Sequence, residues 1–319
     1  MKKSIKAIAL GLAVLPCALM LTACGGDEPK DIVNIEGEYA EVQETEYSAI
    51  VEQLDEGFNL EEIAKGLKAV ITVDAEADLA MGNAKLSFTT ESVMKGNPDD
   101  GYIDINDLES YSKMSAKAKM EMNDTKMEME AVAKQYIVNG TQYIDLSGAE
   151  DIFTMMDPEG TMPKKYFMDL DLDEVEPVQI PQYDVSTLLS MIPEGDWGEY
   201  LKISKSDTET GFKIKIVADK DALNEAVDAF TEELPVDVKF TSDFEVYVVY
   251  DNNQLAGIYL DTDCKVTVFM ELDSPAYEML GASVAVDVSL NAQLVSYSGN
   301  IDYPSFKGYT DYKVLTETY

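Results

Sequence analysis

The sequence predicts a mainly β (α+β) protein: a large curved antiparallel sheet or half-barrel of long strands, with a few helices packed on the concave face. Three observations carry this. Long runs alternate apolar and polar residues with a period of two, as in KMSAKAKMEM, GIYLDTDCKVTVFM and SVAVDVSLNAQLVSY. Turn signals such as Asn123-Asp124, Asn139-Gly140 and Asp251-Asn252-Asn253 separate the runs at hairpin spacing. Only short segments carry helical spacing. Several of the runs reach about ten residues or more, against a typical strand of ~5–6. Long one-sided strands accumulate twist, and their apolar face needs a cover.

Taken in order, residues 1–23 read as a signal peptide. Lys2, Lys3 and Lys6 form a positive n-region, and residues 7–21 an apolar h-region too short to span a bilayer. The segment ends Leu21-Thr22-Ala23-Cys24-Gly25, which resembles the lipobox of bacterial lipoproteins. The resemblance implies cleavage before Cys24, a diacylglyceryl thioether on Cys24, and a cell-membrane anchor facing the extracytoplasmic side. More than one acyl chain would hold it, because one alone anchors only marginally. Residues 24–58 then read as a lipidated cysteine and an acidic tether, with a short helix somewhere in 46–57.

Residues 59–319 form the expected β-rich domain, with a sub-division near 160–196 left open. Asn59 caps a predicted helix over 59–68, with Glu61 and Glu62 in its first turn. From residue 70 the period becomes two, with Ile71, Val73, Ala75, Ala77 and Leu79 on one face, then Leu86, Phe88 and Met94. Next comes the clearest hairpin. Met114, Ala116, Ala118, Met120 and Met122 face one way and are matched by Met127, Met129, Ala131 and Ala133, while lysines and glutamates face the other. Residues 149–200 hold Pro158, Pro163, Pro177, Pro181 and Pro193 and read as an irregular crossover with helices at 149–156 and 184–192. Asp221 is the expected cap of a helix over 222–234, whose Ala222, Ala226, Ala229 and Phe230 are spaced to lie on a sheet. Three long strands follow. The tail from Pro304 has aromatics but no clean period.

This outline looks like the LolA/LppX-type lipoprotein carriers across roughly 59–305, through its order of elements rather than any residue motif. That resemblance implies an apolar cavity between sheet and helices that accepts acyl chains.

Composition narrows the chemistry. The 319 residues hold 24 Lys+Arg, all of them lysine, against 61 Asp+Glu, no histidine and three cysteines, for a net charge of −37. Without histidine there is no Ser-His-Asp or Cys-His catalysis. Without arginine there is no bidentate phosphate clamp. Such acidity opposes nucleic-acid binding. Cys17 leaves with the signal and Cys24 carries lipid, so Cys264 stays alone and forms no intramolecular disulfide. It sits on the apolar side of its strand as a small hydrophobe.

The Met/Ala face is the candidate ligand lining: Met114, Ala116, Ala118, Met120, Met122, Met127, Met129, Ala131 and Ala133. Methionine adapts to a ligand's shape and alanine leaves room beside it. Core packing beneath a helix would give the same pattern. Asp169, Asp171 and Asp173 invite a calcium reading, but an EF-hand needs Gly where Glu174 stands and Glu where Ile180 stands. These residues are read as the solvated acidic face of an edge strand, Asp104, Asn106 and Asp107 make no better calcium site, and no metal or cofactor is expected. Trp197 is either a stacking platform or a loop anchor. No carboxylate pair stands out, so the chain is not expected to be an enzyme. The leading expectation is an anchored lipoprotein that binds a hydrophobic ligand such as a lipid. The alternative is a structural or protein-interaction lipoprotein of the envelope without ligand.

Overall fold

A computed structural model describes residues 32–50, 65–79, 82–99, 102–103, 107–122, 125–150, 163–170, 178–179, 201–231, 236–252, 254–269 and 283–311. The protein is mostly β. Its strands are β1 (Ala40–Glu41), β2 (Leu67–Leu79), β3 (Gly82–Lys95), β4 (Pro98–Asp99), β5 (Tyr102–Ile103), β6 (Glu109–Met122), β7 (Thr125–Val138), β8 (Thr141–Gly148), β9 (Lys165–Asp169) and β10 (Val178–Gln179). The rest are β11 (Leu201–Asp207), β12 (Gly211–Ala218), β13 (Val236–Phe240), β14 (Phe244–Asp251), β15 (Gln254–Phe269), β16 (Ser283–Ser296) and β17 (Thr310–Asp311).

Fourteen strands make one open sheet in the order β1-β11-β12-β14-β15-β16-β2-β3-β6-β7-β8-β9-β17, with β13 beside β15. Every pair described in it is antiparallel except β17 on β9. β10, β5 and β4 form a small second sheet. Strands from both sides of 160–196 belong to the large sheet, because β16 pairs with β2 along Val286–Ser296 and Leu67–Ala77.

The expected hairpins form because the turn residues permit them. Asn139 and Gly140 take φ of 50° and 70°, the left-handed pair that a two-residue type I′ turn requires between β7 and β8. β6 and β7 meet with Met120 opposite Met127, Ala118 opposite Met129, Ala116 opposite Ala131 and Met114 opposite Ala133. The side-chain period of two therefore places all of them on one face.

That face is apolar across the sheet, and its covers are local. At the β11–β15 end Tyr47, Ile50 and Leu223 pack on Ile203, Ile214, Phe244, Val248 and Tyr250. Ile203 and Ile214 are fully enclosed. At the base of β3 and β7, Ile103 and Leu108 cover Met94 and Ile137. The opposite face is polar and carries the ion pairs Lys85–Glu76, Lys119–Glu128, Lys117–Glu130 and Lys265–Asp287.

Several expectations need correction. Of the helix expected over 59–68, Lys65 and Gly66 form a turn and a bend and Leu67 and Lys68 open β2, while 59–64 lies outside the described residues. The helix near 222–234 runs Lys220–Thr231, and its cap is Asp219 rather than Asp221. Asp219 Oδ1 accepts from the amides of Asp221 at 2.8 Å and Ala222 at 3.3 Å, while its carbonyl takes the first helical bond from Leu223. Residues 32–50, expected within the tether, are part of the fold: Val33, Tyr47 and Ile50 are buried. A 3-10 turn at Glu44–Glu46 leads into helical residues 47–50. The aperiodic tail forms a clasp on the polar face. Phe306 stacks on Tyr143 at 3.7 Å, and with Tyr303 and Tyr309 it covers the row formed by Tyr136 and Tyr143. The signal peptide with Cys24, the helices at 151–156 and 184–192, Asp104, Asn106, Asp171, Asp173 and Trp197 lie outside the described residues.

Candidate functional site: an apolar trough at the strand tips

The distal ends of β16, β2, β3, β6 and β7 hold an open trough of about 310 Å³. Strand register explains its shape. One row runs Met127, Met120, Ala84, Ala77, Val286, and the next Met129, Ala118, Leu86, Ala75, Val288. Ala84 and Ala77 set the floor of the first row low, while in the second Ala118 and Ala75 flank a raised Leu86. Methionines stand at one side and Val286 at the other. Lys85 and Lys119 also border it, and their ammonium groups pair with Glu76 at 2.7 Å and Glu128 at 2.9 Å. The lining carries no carboxylate, hydroxyl or thiol among the described residues. Leu86 and Met127 are 45% and 46% exposed, high values for large apolar side chains in a sheet of this size.

Four of the nine residues singled out from sequence line the trough: Ala118, Met120, Met127 and Met129. Met114, Ala116, Ala131 and Ala133 share the face but sit nearer the covered half, where Ala131 is buried. Met122 pairs with Thr125 at the strand tip. Sequence reading missed the other half of the lining, Ala75, Ala77, Ala84, Leu86 and Val286. Their alternation was visible, but the β16–β2 pairing that brings them together joins residues more than 200 positions apart.

The polar face carries a second built arrangement, made by the N-terminal strap 32–41. Gln293 is 1% exposed and accepts the amides of Ile32 at 2.8 Å and Val33 at 3.2 Å. Lys213, also buried, donates to the Glu36 carbonyl at 2.6 Å and to Asn34 Oδ1 at 3.3 Å. Beyond it, Glu245 accepts from Lys215 and from the Tyr247 hydroxyl, both at 2.8 Å. Burial pushes the Glu245 carboxyl up, but those two donors outweigh it and hold it below the ordinary range. The Tyr39 ring meets Tyr247 edge-on. The chain then rounds the β11 edge through β1 and delivers Tyr47 to the apolar face. These polar groups satisfy one another, which is the arrangement of a docked strap.

Cys264 lies half-buried on the apolar side of β15, and burial followed by the charge of Asp263 pushes its thiol up. Asp169 ends β9, where its carboxylate accepts from the Thr141 hydroxyl at 3.0 Å. Among the described residues, no group of three or more His, Cys, Asp or Glu is placed to hold a metal. No helix among them is long and apolar enough to cross a membrane.

Fold and site thus define a class: an open, mostly antiparallel β-sheet protein with an apolar trough at its strand tips. No family model matches the chain, and no curated protein matches it. Among solved structures, DynF from the dynemicin biosynthesis pathway of Micromonospora chersina aligns over 88% of this chain and 94% of that one. The identity is 9% and the TM-score 0.18, too low to carry an argument about fold or function.

Proposed function

We propose that this protein is an extracytoplasmic lipoprotein, anchored to the cell membrane through a diacylglyceryl group on Cys24, that binds a hydrophobic ligand such as a lipid in the trough. The trough is the single observation that carries the ligand reading. Its volume lies at the lower end of the ~300–1,000 Å³ range of ligand sites. Each methylene seated there contributes about 0.8 kcal/mol. Association costs about 4 kcal/mol or more in lost freedom, so some six methylenes must be seated before binding becomes favourable. An acyl chain meets that requirement and a short polar metabolite does not. The net charge of −37 selects against anionic head groups held within the ~8 Å screening length, so the fitting ligand has a neutral or zwitterionic head.

The test is native mass spectrometry of the full chain purified gently from membranes, followed by organic extraction. The reading expects a lipid at near one per chain, lost when Ala77→Leu and Ala84→Leu fill the floor. A bare mass, with no uptake from neutral vesicles, would overturn it. Metabolic labelling with a clickable palmitate tests the anchor separately; label retained in Cys24→Ser would refute lipidation at that cysteine.

A further inference from the structure

Among the described residues the upper half of β7 is a bare sheet edge. β8 pairs with β7 only from Val132 to Val138, so among the described residues Thr125–Ala131 bond to β6 alone. Thr125, Lys126, Met127 and Glu128 are all exposed. Elsewhere among the described residues the sheet edges are covered in part. β1 lies on β11 and β17 on β9. On β13, the Asn224 side chain bonds both the amide and the carbonyl of Phe240, at 2.7 and 3.1 Å. An open edge of this length is a template for another strand.

We propose that this edge pairs with the same edge of a second copy, antiparallel about a two-fold axis at Glu128. The sequence of the edge is self-complementary in that register. Lys126, which also pairs with Glu121 of its own chain at 3.0 Å, falls opposite Glu130 of the second copy, which also lies 3.7 Å from its own Lys117, while Met127 falls opposite Met129 on the apolar side. In that register all seven residues Thr125–Ala131 would find a partner on the second copy. Glu128 meets its own equivalent, but each already has a cation, Lys119 at 2.9 Å. The large net negative charge opposes association at long range and is screened beyond ~8 Å, so the matched charges at the junction decide the register. Pairing would also continue the apolar rows past Met127 and Met129, joining two troughs into one floor. The inference stands on the edge and holds whether or not the trough carries a ligand.

Cysteine cross-linking reads the register. Residues directly opposite in an antiparallel pair lie ~4.5–5.5 Å apart at Cα, within disulfide reach. Glu128→Cys, in the full chain carrying Cys264→Ser, is expected to form a covalent dimer under mild oxidation. Lys126→Cys alone is expected not to, because its equivalents lie four residues apart along the strands, about 13 Å. Lys126→Cys mixed with Glu130→Cys is expected to cross-link. The parent without an added cysteine sets the baseline, and circular dichroism confirms each fold. Equal cross-linking at all positions, or none at 128, would overturn the proposal. So would capture of a different polypeptide by Glu128→Cys, which would assign the edge to a foreign strand. Sedimentation of the unmodified chain adds an independent check: a monomer at every reachable concentration also overturns it.

Discussion

Replacing Gln293 with methionine isolates what docks the N-terminal strap. The side chain keeps its length and stays buried, but its carbonyl acceptor disappears. Two amides lose their partner. That of Val33 is buried and cannot recover water, which costs about 1–3 kcal/mol. That of Ile32 is partly accessible and loses only a net hydrogen bond, about 0.5–1.5 kcal/mol. The expected destabilisation is therefore about 1.5–4.5 kcal/mol. Urea unfolding supplies the total, and amide hydrogen exchange supplies the location. Protection should fall first at Val33. It should fall next at Ile203, whose amide is 3.2 Å from the hydroxyl of Tyr47, the residue the strap delivers to the core. Asn291→Ala, which removes an acceptor of the Gln293 amide group, serves as a milder control. A loss under about 0.5 kcal/mol, with Val33 still protected, would show that Gln293 does not hold the strap.

Four further outcomes follow from particular side chains. Ile214→Ala, at a site with no exposure, should cost about 2–5 kcal/mol in urea unfolding, and a smaller loss would mean the core collapses around it. Thr90→Val should be neutral or stabilising by about 1 kcal/mol, since the buried Thr90 hydroxyl has no hydrogen-bond partner; a loss of similar size would reveal one. Cys264 should react slowly with iodoacetamide at pH 8 in the native protein and quickly in urea, with equal rates contradicting its burial and raised pKa. Burial, then the neighbouring Tyr136 and Glu91, push Tyr111 up to about 12. The unfolded chain ionises there near 10 and so binds fewer protons than the folded one, which makes stability fall as pH rises from about 10 to 12. Tyr111→Phe should flatten that fall in thermal unfolding scans, and an unchanged slope would assign it elsewhere.

Much of the fold is legible in the chain because strand faces are a local property. The Met114–Met122 and Met127–Ala133 series show their shared face through a period of two, and Asn139-Gly140 announces its turn through the φ values it tolerates. The helix at Lys220–Thr231 is equally visible, although its cap is displaced from Asp221 to Asp219, since both acids satisfy the same preference. Leu67 and Lys68 misled, because a helical pattern of a few residues gives way when an adjacent strand offers ladder partners.

By itself the sequence determined composition, charge, the missing chemistries and the alternation that makes one face apolar. Each depends on residue type or on neighbours a few positions away. Only the tertiary structure decided that β16 lies against β2, that the strap docks on Gln293, and that Tyr303, Phe306 and Tyr309 clasp the opposite face. It also decided which part of the apolar face is covered: Tyr47 and Leu223 shield one end, while Leu86 and Met127 stay open. The physical reason is that alternation selects a face but not a neighbour. Strand order and cover come from long-range packing, in which many sequence-distant partners satisfy the same pattern and only the whole assembly chooses among them.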